Sequence, residues 1–422
     1  MRQDSRSERV GTRERVAVTG LGSISAAGKD VPELLASLAA RRVRSGPVPP
    51  WLFTTALKYP VFAGPREVVT STARFLLDQA APHFLPETVS RTVLLALSAT
   101  AEGLAQAGVD LALLRSCRVG IAFGTTVGCT FHNEEYYNAW RHGLQPDLQP
   151  VRYFLGANLA AALHAILGTR GPAAVVTNAC ASGTDAIGLA RDWLNSGQCD
   201  IAIAGGADEL SRVAYNGFVS LMLADTAPCR PFSDDRQGLN LGEGSGVIIL
   251  ESAALLSRRK HHCLGWVRGY GAASDAWHPT APHPEGRGLK DALAIALADA
   301  DIEASAISFV NAHGTGTKAN DLAETTALKD FLPEHLCPPV VSTKGITGHT
   351  LGAAGGIEAV LTLMALRAGI IPGTVGCHNP DPGFPIRPLP EPEQQSLNGR
   401  IGISQSLAFG GGNAVLVLEA AL

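Results

Sequence analysis

The chain repeats one pattern of elements, and a repeat constrains a fold more than any local motif. In the first half a strand-like run at 119–123 ends in Gly124-Thr125-Thr126; in the second, a run at 307–311 leads into Gly314-Thr315-Gly316-Thr317. Residues 173–177 pass through a turn into a small-residue helical stretch at 183–195, as 340–343 pass into 352–366. Both halves close on a glycine-rich step into a β-branched strand, at 242–251 and 410–419. Further strands are expected from Val16, at 201–204 and at 264–271, and further helices at 31–40, 89–106, 158–167 and 289–300. Such alternation implies crossover units and mostly parallel, buried sheets. The reading is an internal duplication in an α/β chain, with halves at 15–256 and 257–422 joined near residues 252–263. Two similar halves would turn their strand-end loops toward a shared site.

The 422 residues exceed what one hydrophobic core usually serves, which agrees with two halves. An apolar content of 46% with 17% charged residues describes a compact interior. The net charge of -4 and the lack of a long basic block give no reason to expect nucleic acid. Eight cysteines lie scattered at 117, 129, 180, 199, 229, 263, 337 and 377 without a C-x-x-C pair, which argues against a zinc site or disulfide framework and for a reducing cytoplasm. No apolar stretch reads as a membrane span. Residues 1–14 are charged, lack the apolar segment of a secretory signal, and are expected to be a disordered tail.

The chemistry concentrates in four loops. Asn178-Ala179-Cys180-Ala181-Ser182-Gly183 follows Val175-Val176-Thr177 and precedes the 183–195 stretch. A strand feeding a helix there leaves Cys180 at the helix N-terminus, where unpaired N–H groups and the dipole favour a thiolate and can hold an oxyanion. In the second half, Asn311-Ala312-His313-Gly314-Thr315-Gly316-Thr317 places a histidine and hydroxyls at a strand end. Ser342-Thr343-Lys344-Gly345-Ile346-Thr347-Gly348-His349 enters a helix carrying Glu358, and Phe409-Gly410-Gly411-Gly412-Asn413 lets backbone N–H groups approach a ligand. A lone histidine such as His164, His261 or His378 reads as structural or solvated.

Cys180, His313, Lys344 and His349, in this order and these contexts, resemble the β-ketoacyl-acyl-carrier-protein synthases, and within them the elongating Cys-His-His type on the thiolase fold. The likeness runs from Arg15 to the C-terminus and includes Arg230-Pro231-Phe232 and Gly242-Glu243-Gly244. It implies thiolase-like duplicated halves in a five-layered αβαβα arrangement. It also implies a decarboxylative Claisen condensation: Cys180 takes an acyl chain from a carrier protein, and malonyl-acyl carrier protein extends it to a 3-ketoacyl thioester. By the same resemblance, Cys180 and Phe409 form the oxyanion hole, His313 and His349 stabilise the enolate, and Lys344 and Glu358 orient them. Thr315 and Thr317 hold the phosphopantetheine arm, Phe409 gates the acyl pocket, and Val127 and Phe218 line it. No cofactor or metal bound to the chain is implied; the substrates ride on the carrier's phosphopantetheine. The implied partners are acyl carrier protein and a second subunit, identical or a homologous ketosynthase/chain-length-factor chain.

Some positions depart from the pattern. Ala408 stands where the family has glycine, which puts a methyl group beside the gate, and Asn178 replaces a threonine. A basic cluster for the acidic carrier is missing from residues 41–92, leaving Arg91 and Arg152 as candidates. The insertion at 131–147, with Tyr136, Tyr137 and Trp140, is expected at a dimer interface or the pocket floor. These departures make a polyketide or polyene pathway as plausible as fatty-acid elongation. Two alternatives stand beside the condensing enzyme: a chain-length-factor-like partner subunit, and a cysteine-dependent acyltransferase or thioesterase.

Overall fold

The computed structural model describes residues 15–80, 89–127, 133–148, 151–152, 158–332, 336 and 338–421; the tail expected at 1–14 lies outside them. In chain order the strands are β1 (Val16–Ser25), β2 (Val119–Gly124), β3 (Ala173–Val176), β4 (Ile201–Asp208), β5 (Gly244–Glu251), β6 (Gly265–Ser274), β7 (Ile307–Asn311), β8 (Val340–Val341), β9 (Ile370–Pro372), β10 (Gln394–Ser396), β11 (Ile401–Leu407) and β12 (Gly412–Ala420). The helices are α1 (Val31–Ala39), α2 (Ser71–Asp78), α3 (Arg91–Gln106), α4 (Leu111–Ser116), α5 (Asn133–Arg141), α6 (Leu159–Leu167), α7 (Ser182–Asn195), α8 (Arg212–Ser220), α9 (Ala253–Arg259), α10 (Arg287–Ala300), α11 (Lys318–Phe331), α12 (Lys344–Thr347) and α13 (Ala354–Ala368).

Ten strands form one sheet in the order β3-β2-β4-β5-β1-β6-β12-β11-β7-β8, while β9 and β10 pair separately. Leaving aside the β9–β10 pair, each arm runs outward from the β1–β6 junction as the first, fifth, fourth, second and third sheet strand of its half. The duplication is thus written in the topology. The sheet is mixed, however, and corrects the expectation of mostly parallel strands. Only the outer three strands of each arm pair in parallel, β3-β2-β4 and β8-β7-β11; β5, β1, β6 and β12 pair antiparallel. The reason is plain at β11, which returns as β12 through residues 408–411 with no room for a crossover helix. The division expected at 256/257 falls inside α9.

Side-chain alternation along the strands builds the layers. Ile249 faces an outer cluster with Val93 and Leu97 of α3 and Leu163 of α6. Its neighbour Ile248 faces an inner cluster with Ile187 of α7, Val360 and Leu363 of α13, and Leu416 of β12. Val415 and Val417 turn to the opposite outer face, against Leu289 and Leu293 of α10 and Leu328 of α11. Helices α7 and α13 therefore lie between the two arms, giving an αβαβα order. Glycine permits this closeness: a Cβ on Gly183 would lie 2.6 Å from the Gly352 carbonyl oxygen, and one on Gly206 2.1 Å from it. The segment Leu351–Ala368 is long and apolar enough to cross a membrane, a stretch the sequence reading did not expect, but 83% of it is buried, as an inner-layer helix must be.

Caps fix the helix boundaries. The Ser90 side chain accepts from the Val93 N–H, so α3 starts at 91 rather than 89, and the Asn158 side chain accepts from the Ala161 N–H at the start of α6.

Candidate active site at the seam between the halves

The turns before α7 and α13 correspond and meet. Ala179–Ala181 and Leu351–Ala353 are both single 3₁₀ turns, and each begins on a non-glycine residue with positive φ, Ala179 at 43° and Leu351 at 53°. Such backbone persists only where its surroundings hold it. Asp208 at the end of β4 supplies that hold. Its Oδ1 accepts from Thr125 Oγ1 (2.7 Å), and its Oδ2 accepts from the Thr126 N–H (2.8 Å) and the Gly352 N–H (2.7 Å), tying the two halves together.

Cys180 sits buried at this turn, and His349 Nε2 lies 2.9 Å from its Sγ. The His313 and His349 rings are 5.1 Å apart and nearly perpendicular at 85°. Behind His313, Lys344 Nζ donates to the His313 carbonyl oxygen (2.6 Å), lies 3.2 Å from His313 Nδ1, and pairs with the buried Glu358 carboxylate. An ammonium can only donate, so Nδ1 is the acceptor and the ring proton sits on Nε2, the nitrogen turned away from Lys344. His349 Nδ1 has no hydrogen-bond partner among the described residues.

Burial sets the protonation state. It holds both imidazoles well below their usual range, with Lys344 adding to the effect, so both are neutral. Burial pushes the Cys180 thiol up to about 12, against opposing pulls from Lys344 and from the Phe409 N–H, which hydrogen-bonds to it. The resting sulfur is therefore a thiol: at this buried turn desolvation outweighs the pull toward a thiolate expected from the helix N-terminus. The carboxyl of Glu358 is raised by burial and lowered by Lys344.

Cys180, His313 and His349 offer donor atoms within 4.8 Å of one another. Yet two ligands of a tetrahedral zinc ion keep roughly 3.5 Å between them, and the Sγ–Nε2 separation of 2.9 Å is that of a hydrogen bond.

The site opens into a cavity of about 440 Å³ lined by Cys180, His313, His349, Thr315, Thr317 and Phe409, with Phe218 also on its wall. Thr315 and Thr317 share a hydroxyl hydrogen bond of 2.9 Å. Phe218 of α8 stacks on Phe409 (5.2 Å, 20°) and meets His349 edge-on (6.3 Å, 86°). Val127 is not among the residues of the cavity wall: its N–H is drawn to Asp208 Oδ1 (3.3 Å) and its side chain packs against the same apolar cluster as Phe218. Ala408 has extended backbone, φ -125°, which any residue adopts, so its methyl group introduces no backbone strain beside the gate. Arg91 is engaged within the chain by Glu243 (2.7 Å) and the Trp51 ring (4.7 Å). Tyr137 and Trp140 of α5 are 54% and 60% exposed, so they do not form the pocket floor in this chain.

Sequence reasoning missed the residues that carry the His313 loop. Glu324 accepts from the N–H groups of His313 and Gly314 (both 2.6 Å) and from Gln405 Nε2 (2.7 Å), and Asp321 accepts from the Thr315 N–H (3.1 Å). The signal was present: two acids three apart at the start of a helix, directly after a glycine-rich turn. Also missed was Asp275, whose Oδ1 accepts from Asn413 Nδ2 (3.1 Å) and whose N–H donates to the Gly411 carbonyl (2.8 Å), clasping the Phe409 loop.

Comparison with known proteins agrees with this geometry. The model of the beta-ketoacyl synthase N-terminal domain matches residues 13–255, and that of the C-terminal domain residues 264–378. A 3-oxoacyl-[acyl-carrier-protein] synthase 2 from Synechocystis is 34% identical over 96% of this chain and 98% of its own. Nodulation protein E of Rhizobium meliloti is 34% identical over 96% of this chain and 99% of its own. Among solved structures, the ishigamide ketosynthase/chain length factor superposes with a TM-score of 0.89 at 32% identity, covering 97% of this chain and 100% of that one. A ketosynthase solved with its chain length factor from Xenorhabdus doucetiae gives 0.79 at 30%, covering 97% and 98%.

Proposed function

The chain belongs to the beta-ketoacyl synthase family, and we propose that its seam site performs decarboxylative condensation in two half-reactions. The observation that carries this is the pairing of one thiol with two neutral imidazoles, one on Cys180 Sγ and the other held by Lys344. In the first half-reaction, His349 takes the Cys180 proton as the sulfur attacks an acyl thioester on acyl carrier protein. The N–H groups of Cys180 and Phe409 receive the oxyanion, and the carrier thiolate leaves with a proton. In the second, the Nε2–H of His313, and that of His349 once its ring proton has moved from Nδ1 to the Nε2 left bare by protonating the carrier thiolate, donate to the thioester carbonyl of malonyl-acyl carrier protein. The bond to the carboxylate breaks, carbon dioxide leaves, and the electron pair is held as an enolate. Its carbon attacks the acyl-Cys180 carbonyl, and the Cys180 thiolate departs as the 3-ketoacyl thioester forms. Donors already aimed at the developing charge are what make the loss of carbon dioxide fast.

The complete set of Cys180, His313, His349 and Lys344 stands against the chain-length-factor-like alternative, and a thioesterase needs no second imidazole set for an enolate. Thr315 and Thr317 take the phosphopantetheine arm, which delivers every acyl group; the chain needs no cofactor of its own. It works in the cytoplasm with a separate acyl carrier protein and a second, identical or homologous, subunit. The likeness to a ketosynthase/chain length factor and to a ketosynthase solved with its chain length factor supports a specialised polyketide or polyene pathway.

Intact-protein mass after incubation with acyl-carrier-protein thioesters tests this. One acyl adduct is expected, absent in Cys180→Ala, and His349→Ala is expected to accept the acyl group but not extend it. Condensation at full rate in either variant would end the proposal.

A further inference from the structure

The cavity has two chemically different ends. Its inner end holds the buried triad; its outer wall carries Lys318 and Ala319, both exposed, at the start of α11. Among the described lining residues, the charges are few. The two imidazoles are neutral through burial. The Asp275 carboxylate accepts from the N–H groups of His283 (3.0 Å) and Gly288 (3.0 Å) and from Asn413 Nδ2 (3.1 Å). That leaves Lys318 as the one cation on the wall. It forms no ion pair among the described residues, and the Asp381 carboxylate, on which its charge acts weakly, is already bound by Arg236 at 2.7 Å. Thr317, the residue before α11, gives the helix no side-chain cap, its hydroxyl lying 2.9 Å from Thr315 Oγ1. The first-turn N–H groups beside Lys318 are therefore without a side-chain acceptor.

We infer that Lys318 binds the phosphate of the phosphopantetheine arm at the cavity mouth. The inference rests on the reading that acyl thioesters enter this cavity. Such an arm carries its reacting thioester at one end and a phosphate at the other. With the thioester at Cys180, the anionic end lies toward the mouth, where an unpaired ammonium is a compact partner for phosphate oxygens. The contact sets the depth at which the thioester presents itself without touching the reacting atoms, so Lys318 is a positioning residue. Carrier protein and coenzyme A both present this phosphate, and the two sources are separable by donor.

The test follows Cys180 acylation by mass at subsaturating donor, comparing acyl-phosphopantetheine with acyl-pantetheine, which lacks the phosphate. In the wild-type protein the phosphorylated donor is expected to load about tenfold faster, an advantage that shrinks in high salt. In Lys318→Ala the ratio of the two rates is expected to fall to near one, and Lys318→Arg to restore most of it. A ratio unchanged in Lys318→Ala, whether or not both rates drop, would overturn the inference. Acyl-carrier protein and acyl-coenzyme A, run in parallel, are each expected to lose rate in Lys318→Ala. If only the coenzyme A donor loses rate, its additional phosphates are the ligand and the inference fails. No adduct from any donor in the wild-type protein would instead defeat the acyl-transfer reading beneath it.

Discussion

At the scale of single residues, burial rather than local dipole decides the chemistry of Cys180. A thiol raised to about 12 is protonated throughout the neutral range, so its reactivity toward a small alkylating agent should climb with pH and show no plateau below about pH 10. Iodoacetamide alkylation of Cys180, followed by peptide mass between pH 6 and 10, checks this; a plateau near neutrality would mean a standing thiolate. Lys344 fixes the other half of the chemistry. Lys344→Met removes the donor that keeps the His313 proton on Nε2 and strands the buried Glu358 carboxyl. Stranding such a group typically costs about 3–5 kcal/mol of stability. The expected kinetic signature is selective: acyl loading of Cys180 persists, while extension falls by about a hundredfold or more. Equal loss of both steps, measured by adduct mass and product formation, would show that Lys344 supports the fold alone. Cys180, His313 and Lys344 were legible in the sequence because each lies in a turn just after a strand-like run, and His349 because it follows Gly348 in the same loop as Lys344. The thiol's protonation state was not, because burial is a property of the layers packed around a turn.

At the scale of elements, strands, helices and turns read differently. The starts of α6 and α10 and all of β7 lay close to their expected places, since hydrophobic periodicity and N-caps are local. What periodicity could not supply was the direction of β5 and β12, which depends on which neighbour a strand finds. Nor did it reveal the carboxylates that hold the loops. Asp208 accepts from both halves at once, and Asp208→Asn sets an amide N–H₂ against donors that need an acceptor. A loss of roughly 2–4 kcal/mol is expected, read as a lower urea midpoint. An unchanged midpoint would mean that the turns at Ala179 and Leu351 are held by packing alone.

At the scale of the whole molecule, β3 is the exception. It is the outermost strand of its arm, its run Ala173–Val176 is apolar, and none of its residues is fully buried, whereas β2 and β4 beside it are buried throughout. An apolar edge with open N–H and C=O groups pairs with another chain. The protein is expected to sediment as two subunits rather than as a 43.9 kDa monomer, and Ala173→Arg to shift it to the monomer with its circular dichroism retained. A monomeric wild-type protein would require the homologous partner for assembly.

The seam has one more consequence. The electron pair that makes the new acyl–sulfur bond comes from the first half, and every group that handles protons comes from the second. Turnover is thus a gauge laid across the duplication. A separation that hardly disturbs either half's own packing registers at once as a longer path from Sγ to Nε2. Whatever presses on one arm, a partner subunit or a docked carrier, can be felt as rate without any part of it entering the cavity.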